Sequence, residues 1–486
     1  MKQNIVDDIG QLFKNKTLNI LGIERTLHQR ILDGDISKVI DMMQDRDEEV
    51  DNAISEYNPQ QHKVMSRQNK VRSDDSVYIT CKLPRNLQAY INEVELFFLL
   101  GQDIIWKKDK GEDEAFELFK AFLKDTHFNS RIRQAKRLAG AETEAAMVYY
   151  LYSDNDEKGA STVKHIPFVA ARSTGYTLRP LFDQYGQMQA FAYGYILREE
   201  NKNVQHWDIL TKDFIYLCSK TTAGWNVENY PNRIGKIPAV YFQQNKAWFG
   251  VEARLDRIEE LDSKAGDTNN YFADPIATAT ADVINGLADP DKPGKLIQLT
   301  GANSKFEYVV PPVASESRKD EQRSLKESVL FDTFSPDFDI EKMRGLGTLT
   351  GAAIKNSFIL GYLKRDNRLE TWDEYITRLT NVIIAILKAE YPDKEEMLDE
   401  LEISHEFADP FSSDRKENWR DITSLYTGGV ASLETVVNML GLTNAPQDEI
   451  NRIIAAEMDK TWMANEARGK NAEGTEEQTE PIEGQE

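Results

Sequence analysis

FDIEKMRGLGTLTGAAIKNSF, residues 338–358, joins two stretches of helical pattern through a glycine-rich bend. Three roles suit such a bend: a phosphate-cradling loop, a hinge, or a finger that touches something passing by. The first fails on spacing. Counting from Gly345, a P-loop needs Gly at 350 and Lys at 351, where Thr350 and Gly351 stand. The dinucleotide fingerprint fails too, because Thr350 occupies the third glycine position and no strand pattern precedes the bend.

Outward from the bend the pattern is helical. On its C-terminal side Leu369, Trp372, Ile376, Leu379, Ile383 and Ile386 step by three and four, predicting one helix from about Gly351 to Tyr391. Such a helix reaches roughly 60 Å at 1.5 Å per residue. On its N-terminal side DEQRSLKESVLFDTF is helical, preceded by INGLADPDKPGKLIQLTGANSKFEYVVPP with two turn clusters and two short strands. Before that, Leu255, Ile258, Leu261, Ala265, Phe272 and Ile276 form another helical stripe. Pro167 to Gln243 alternates with period two and reads as antiparallel β structure. In LPRNLQAYINEVELFFLLGQDIIW, Leu87, Ile91, Val94 and Phe98 predict a core-facing helix closed by Gly101. EAFELFKAFLKD and SRIRQAKRLAGAETEAAMVYYLY are helical, the latter turning strand-like at its end. Residues 1–64 read as a charged helical arm, mobile or packed on a partner. The C-terminal part predicts three short helices, the second capped by Ser432, and a disordered acidic tail from Glu466. The fold class is α+β, mostly helical.

The 486 residues carry 59 Lys and Arg against 81 Asp and Glu, a formal net charge of −22. Affinity for nucleic acid comes largely from cations on phosphates, so tight DNA binding is disfavoured, whereas an acidic wall past which DNA slides is not. No run of eighteen apolar residues occurs and the N-terminal stretch lacks the pattern of a signal peptide, so the expectation is a soluble, intracellular chain. Cys81 and Cys218 sit far apart among apolar neighbours and read as buried thiols. The six histidines form no ligand pairs, no HExxH or G-x-S-x-G occurs, and the acidic runs read as solvated faces. Neither metal nor cofactor nor catalytic activity is expected. SLETVVNMLGLTNAPQDEINRII resembles a helix-turn-helix superficially, but Asp448 and Glu449 stand where phosphate contacts belong.

The order of these elements resembles the portal proteins of tailed bacteriophages, of the siphovirus type. LPRNLQAYINEVELFFLLGQDI looks like the family's early helix and turn, YTLRPLFDQYGQMQAFAYGYI like its strand–turn–strand, and IGKIPAVYFQQNK like the lead-in to its stem. DSKAGDTNNYFADPIA looks like its first stem helix and TLTGAAIKNSF like the exit from its tunnel loop. The resemblance spans residues 65–460 and implies a wing at 65–250, a first stem helix at 251–284, a clip at 285–312 and a second stem helix at 313–334. It further implies a tunnel loop at 335–350, a long spine helix with a return strand at 351–410, a crown at 411–465 and the tail at 466–486. A ring of about twelve copies at a capsid vertex follows from the resemblance. Its partners would be double-stranded DNA in the channel, the terminase large subunit, a head–tail adaptor, and the major capsid and scaffolding proteins. A head–tail adaptor or minor capsid protein, or an intracellular helical scaffold or enzyme, is the alternative.

Under this resemblance the opening bend reads as a finger. Gly345 and Gly347 permit a shifting backbone, Lys342 and Arg344 reach phosphates, and Leu346, Thr348 and Leu349 form the tip. In the clip, Asp289, Asp291, Lys292 and Lys295 are the expected docking charges.

Overall fold

The computed structural model describes residues 26–71, 75, 77–155, 161–199, 202–273, 277–279, 306–308, 315–338, 357–411, 422–440 and 446–473. The chain divides into two units, the second containing the described residues from Phe411 onward.

The first unit begins with helices α1 (Leu27–Leu32), α2 (Ile36–Asp41) and α3 (Asp47–Tyr57). Strands β1 (Lys70–Val71) and β2 (Val77–Tyr78) make a small hairpin, followed by α4 (Leu87–Leu100), β3 (Ile104–Lys110), α5 (Asp113–Asp125) and α6 (Phe128–Glu142). Next come β4 (Glu144–Asn155), β5 (Ser161–Ala170), β6 (Thr177–Phe182), β7 (Met188–Glu199), β8 (Lys202–Thr211), β9 (Phe214–Thr221), β10 (Gly224–Pro231) and β11 (Ala239–Gln243). They form a five-stranded sheet ordered β10-β9-β8-β7-β6 and a three-stranded sheet ordered β11-β4-β5, both antiparallel. Then follow α7 (Glu252–Ala273), β12 (Ala277–Ala279), β13 (Phe306–Tyr308), α8 (Ser315–Asp332), α9 (Ile359–Glu390), α10 (Glu395–Asp399) and β14 (Glu402–Phe407), the last pairing with β3.

The main core gathers α4, α5, α6, β3, β4, β11 and α9. The stripe predicted for the long helix is its buried face: Trp372, Ile376, Leu379, Ile383 and Ile386 are all inside. Trp372 stacks on Phe242 of β11 with centroids 5.2 Å apart and ring planes 3° from parallel. The described helix has 32 residues, about 48 Å, and starts at Ile359; the predicted residues 351–356 lie outside the described ones. Near its start a Cβ on Gly361 would lie 2.1 Å from the Phe98 ring, so only glycine lets α9 cross α4 this closely.

The turn from helix to strand after α6 depends on Thr143, held at φ 68°, a region a β-branched residue rarely adopts. Arg46 compensates, its guanidinium donating to the Thr143 carbonyl at 3.2 Å and hydroxyl at 3.3 Å. The long run of β structure therefore starts at Glu144, in the stretch read as turning strand-like and ahead of the alternating pattern from Pro167.

The N-terminal helices are not a free arm. Ile31, Ile36, Val39 and Met43 are buried against Trp207, Ile209, Tyr216 and Cys218 of the five-stranded sheet. An apolar helix face next to an apolar sheet face buries more surface than either does alone, which polar composition had obscured. Asp47 of α3 holds the same junction through Arg179, at 2.6 Å, and Arg172. The Arg179 hydrogen bond keeps the Asp47 carboxyl below its usual range.

Other expectations shift at element ends. Gly101 does cap α4, but in the right-handed region at φ −62°. α7 stops at Ala273 rather than Ile284, with Pro275 two residues on and unable to donate to a helix. Cys218 is buried, and burial pushes its thiol up to about 12, whereas Cys81 is only half-buried.

In the second unit residues 422–427 are helical, followed by α11 (Leu433–Leu440) and α12 (Pro446–Glu473). Ser432 Oγ accepts from the Thr435 amide at 3.2 Å, the cap expected from sequence. α12 continues through Glu466 to Glu473, so the start of the expected disordered tail is helical; Ala, Glu, Arg and Lys in that stretch are good helix formers. The remaining tail, 474–486, lies outside the described residues. No helix among the described residues is long and apolar enough to cross a membrane.

Gly361→Ala should destabilise the protein by about 1–3 kcal/mol through overpacking against Phe98. Urea unfolding should show a lowered midpoint, and adding Phe98→Leu should restore part of it.

Candidate functional site

Lys342, Arg344, Gly345, Leu346, Gly347, Thr348 and Leu349 lie outside the described residues, as do Asp289, Asp291, Lys292 and Lys295. What is described is how the chain leaves and re-enters around them.

Phe338 precedes the glycine-rich segment and Phe358 follows it, and their rings lie 5.1 Å apart. The segment between them therefore departs from and returns to one point. Phe338 also packs edge-on against Phe97 at 6.4 Å, fixing that point to α4. Tyr90 of α4 clasps the departing chain: its hydroxyl donates to the Pro336 carbonyl at 2.6 Å and accepts from the Phe338 amide at 3.1 Å. A left-handed residue, Phe334 at φ 50°, redirects the chain out of α8 just before.

Beneath this clasp lies a buried charge cluster. Glu95 of α4, 1% exposed, faces Lys136 of α6 and Lys364 and Arg368 of α9. Lys136 salt-bridges it directly, Arg368 sits at 3.0 Å and Lys364 at 3.8 Å. Gln244, just after β11, donates to Glu95 at 3.1 Å and accepts from Lys136 at 3.0 Å and the Trp372 indole at 3.2 Å. Lys364 Nζ also donates to Ser335 Oγ at 3.1 Å and the Ile91 carbonyl at 3.2 Å, tying the loop's root to the cluster.

One carboxylate among three cations decides the ionisation. Burial alone would raise the Glu95 pKa, but Lys136, Arg368 and Lys364 outweigh it and hold the carboxyl well below its usual range. The lysines share their single counter-charge, so burial prevails for them: Lys136 is lowered, and Lys364 is brought down to about 8.

The second excursion is rooted in α7 and α8, which run antiparallel. Arg254 bridges Asp332 at one end, and Gln322 donates to Asp262 at 2.6 Å further along. Val251, Leu255, Ile258 and Val329 anchor the pair against Ile91 and Trp248. Beyond α7, β12 pairs with β13 from Ala277↔Tyr308 to Ala279↔Phe306, so residues 280–305 also leave and return side by side. That range contains the four expected docking charges.

Sequence reasoning missed Tyr90, Glu95, Lys136 and Lys364. A signal for two of them was present: Glu95 interrupts the apolar face that carries Ile91, Val94 and Phe98. Lys364 and Arg368 continue the Trp372, Ile376 stripe at steps of four. Charges on a core face are expensive unless paired. Among the described residues no group of His, Cys, Asp or Glu is arranged to hold a metal ion.

The model of the family "Phage portal protein, SPP1 Gp6-like" matches residues 36–460. The chain belongs to the phage portal family. It is a portal protein, a structural component for DNA packaging. Among solved structures, the portal chain is similar to one from "Neck of native GTA particle computed with C12 symmetry". Identity is 11% and the TM-score 0.39, with 74% of this chain and 91% of that one covered. No curated protein matches.

Glu95→Gln should destabilise the fold by about 3–5 kcal/mol, since three buried cations lose their counter-charge. Lys364 has a folded pKa of about 8, below the roughly 10.4 of an unfolded lysine. Between these values the unfolded state binds more protons, so this group's contribution to stability rises with pH. Urea titrations at about pH 7 and about pH 9.5 should show that increment in the wild type and its loss in Lys364→Met.

Proposed function

We propose that this portal protein works as a ring of about twelve copies around an axial DNA channel at one capsid vertex, with α7 and α8 as its stem. The segment between Phe338 and Phe358 is then the finger that meets the duplex, and residues 280–305 contain the clip. The crown begins near Phe411 and the wing is built on the two larger sheets. The terminase large subunit and later a head–tail adaptor dock on the clip, with major capsid and scaffolding proteins around the wing. The protein waits in the host cytoplasm before assembly and has no catalytic activity of its own.

Family membership supports the overall reading. For the finger, the supporting observation is the closure of the loop at the Phe338–Phe358 pair, clasped by Tyr90. A loop closed at its base projects as a unit, while Gly345 and Gly347 leave its far part free to adjust. Identical loops in a ring can then each follow a duplex whose symmetry differs from theirs. Lys342 and Arg344 in a chain of net charge −22 give weak, salt-screened attraction, which suits a surface that must release DNA at every step.

Lys342→Ala with Arg344→Ala should leave ring assembly unchanged and alter DNA packaging or retention, and Gly345→Val with Gly347→Val should be worse. Full-length genomes packaged with normal efficiency by both variants would leave the loop a mere connector. Reversing the charges of Asp289, Asp291, Lys292 and Lys295 should weaken motor or adaptor binding while rings persist. Intact pull-down of both partners would place docking elsewhere.

A further inference from the structure

Between α3 and α4 the chain runs as a strap along α7, fastened at several points. His62 Nδ1 lies 2.6 Å from Glu259, the Arg85 amide donates to the same carboxylate at 2.8 Å, and the Leu83 amide donates to Ser263 Oγ at 2.9 Å. Farther along, Asp267 accepts from the Cys81 amide at 2.7 Å and from Arg67 at 2.8 Å. Gly266 lets the strap lie this close, since a Cβ there would sit 3.0 Å from Cys81 Sγ.

The fasteners are unequal. Lys63 bridges Asp256 from a side chain 82% exposed, and Arg85 bridges Asp262 from one 44% exposed. Exposed pairs of this kind hold little, because water and salt compete for both charges. His62 and Glu259 are each 3% exposed. Among the described residues His62 is the ion-pair partner of Glu259, so the proton on the ring decides whether this buried carboxylate meets a cation or a neutral donor. Away from water the imidazolium is the stronger partner.

The charges around the ring favour the proton. Burial alone would lower the His62 pKa, but the hydrogen bond and charge of Glu259, the Glu56 main chain and Asp256 outweigh it and raise it. Nearby cations are committed elsewhere: Lys63 to Asp256, Arg85 to Asp262, and Lys246 to Glu56 and Glu252. Because the folded value lies above the roughly 6.5 of an unfolded histidine, the pair contributes fully below that value. Its contribution is lost as pH rises through the folded value.

The pair sits where α7 leaves the core. Val251, Leu255 and Ile258 are buried with Ile91 and Trp248. Past Ile258, the hydrogen bonds that α7 makes to other elements go, among the described residues, to the strap and to α8.

We propose that the segment from His62 to Arg85 is a proton-dependent latch on α7, closed by the His62–Glu259 pair. With the ring protonated, α7 beyond Ile258 is held to the strap; with the proton lost, the strap lifts and that part of the helix is released. The inference goes beyond the portal reading and needs no second copy of the chain.

Amide hydrogen exchange, corrected for its intrinsic pH dependence, tests this by mass spectrometry from about pH 6 to about pH 9 in wild type, His62→Gln and Glu259→Gln. Each glutamine keeps a hydrogen-bonding group in place and removes the titrating pair. In wild type the protection of residues 78–85 and of α7 past Ile258 should fall roughly fivefold or more over this range, the scale separating a hydrogen bond between charges from a weaker one. Both variants should show the lower protection at every pH, while α9 stays protected. Cys81, at the seam, gives an independent reading: its alkylation in His62→Gln should outpace wild type by a similar factor at the acid end and match it at the alkaline end. Comparing the two proteins at each pH cancels the chemistry of the reagent. Wild-type protection that does not change with pH would overturn the inference, as would a variant that keeps the wild-type profile. So would loss of protection in α9 together with the strap, which would make the opening global. Should one variant fail to fold, the other carries the comparison.

Discussion

The Glu95 carboxylate, shut away from water among Lys136, Lys364 and Arg368, ties together elements that come from four distant parts of the chain. α4 brings the anion, α6 and α9 the cations, and Gln244 after β11 bridges them. A buried charge tolerates little displacement, because moving any partner by an ångström leaves another desolvated and unpaired. An apolar core of the same volume would permit sliding of α9 along α4; the ionic one sets a register. Gly361 against Phe98 adds a steric stop at the same crossing.

That register matters because the loop root hangs from it. Lys364 reaches Ser335, Tyr90 holds Pro336 and Phe338, and Phe358 closes on Phe338 at the first turn of α9. The rigid part of the molecule therefore extends up to the last aromatic pair before the glycines. The α7–α8 pair follows the same logic. Its paired helices are anchored at one end by Trp248 and Ile91, and their far end is closed by the three-residue ladder of β12 and β13.

Much of this was legible in the residues. The stripe from Leu369 to Ile386 is the buried face of α9, the α4 stripe is inside, and Ser432 caps α11, because periodicity and capping are local and depend on neighbours a few residues away. Element ends were less legible: α7 stops short of Ile284 and α12 runs past Glu466, since propensity and a nearby proline trade off within a turn or two. The N-terminal helices read as an arm because nothing in their own sequence says that the far face of the β7–β8–β9 sheet is apolar and needs covering.

The sequence by itself determined the order of elements, their amphipathic faces, the acidic balance and the glycine bend, and that order was enough to suggest the family. Only the tertiary structure decided that Phe338 and Phe358, at the two ends of the bend, meet, that Glu95 is the counter-charge for three cations, and that the chain between α3 and α4 lies along α7. The physical reason is sequence separation. Phe338 meets Phe358, Glu95 meets Lys364 and Cys81 meets Asp267 through contacts whose partners lie from tens to hundreds of residues apart. Charge pairing and aromatic contact at such distances depend on where the backbone has already been carried by packing, which no local pattern encodes.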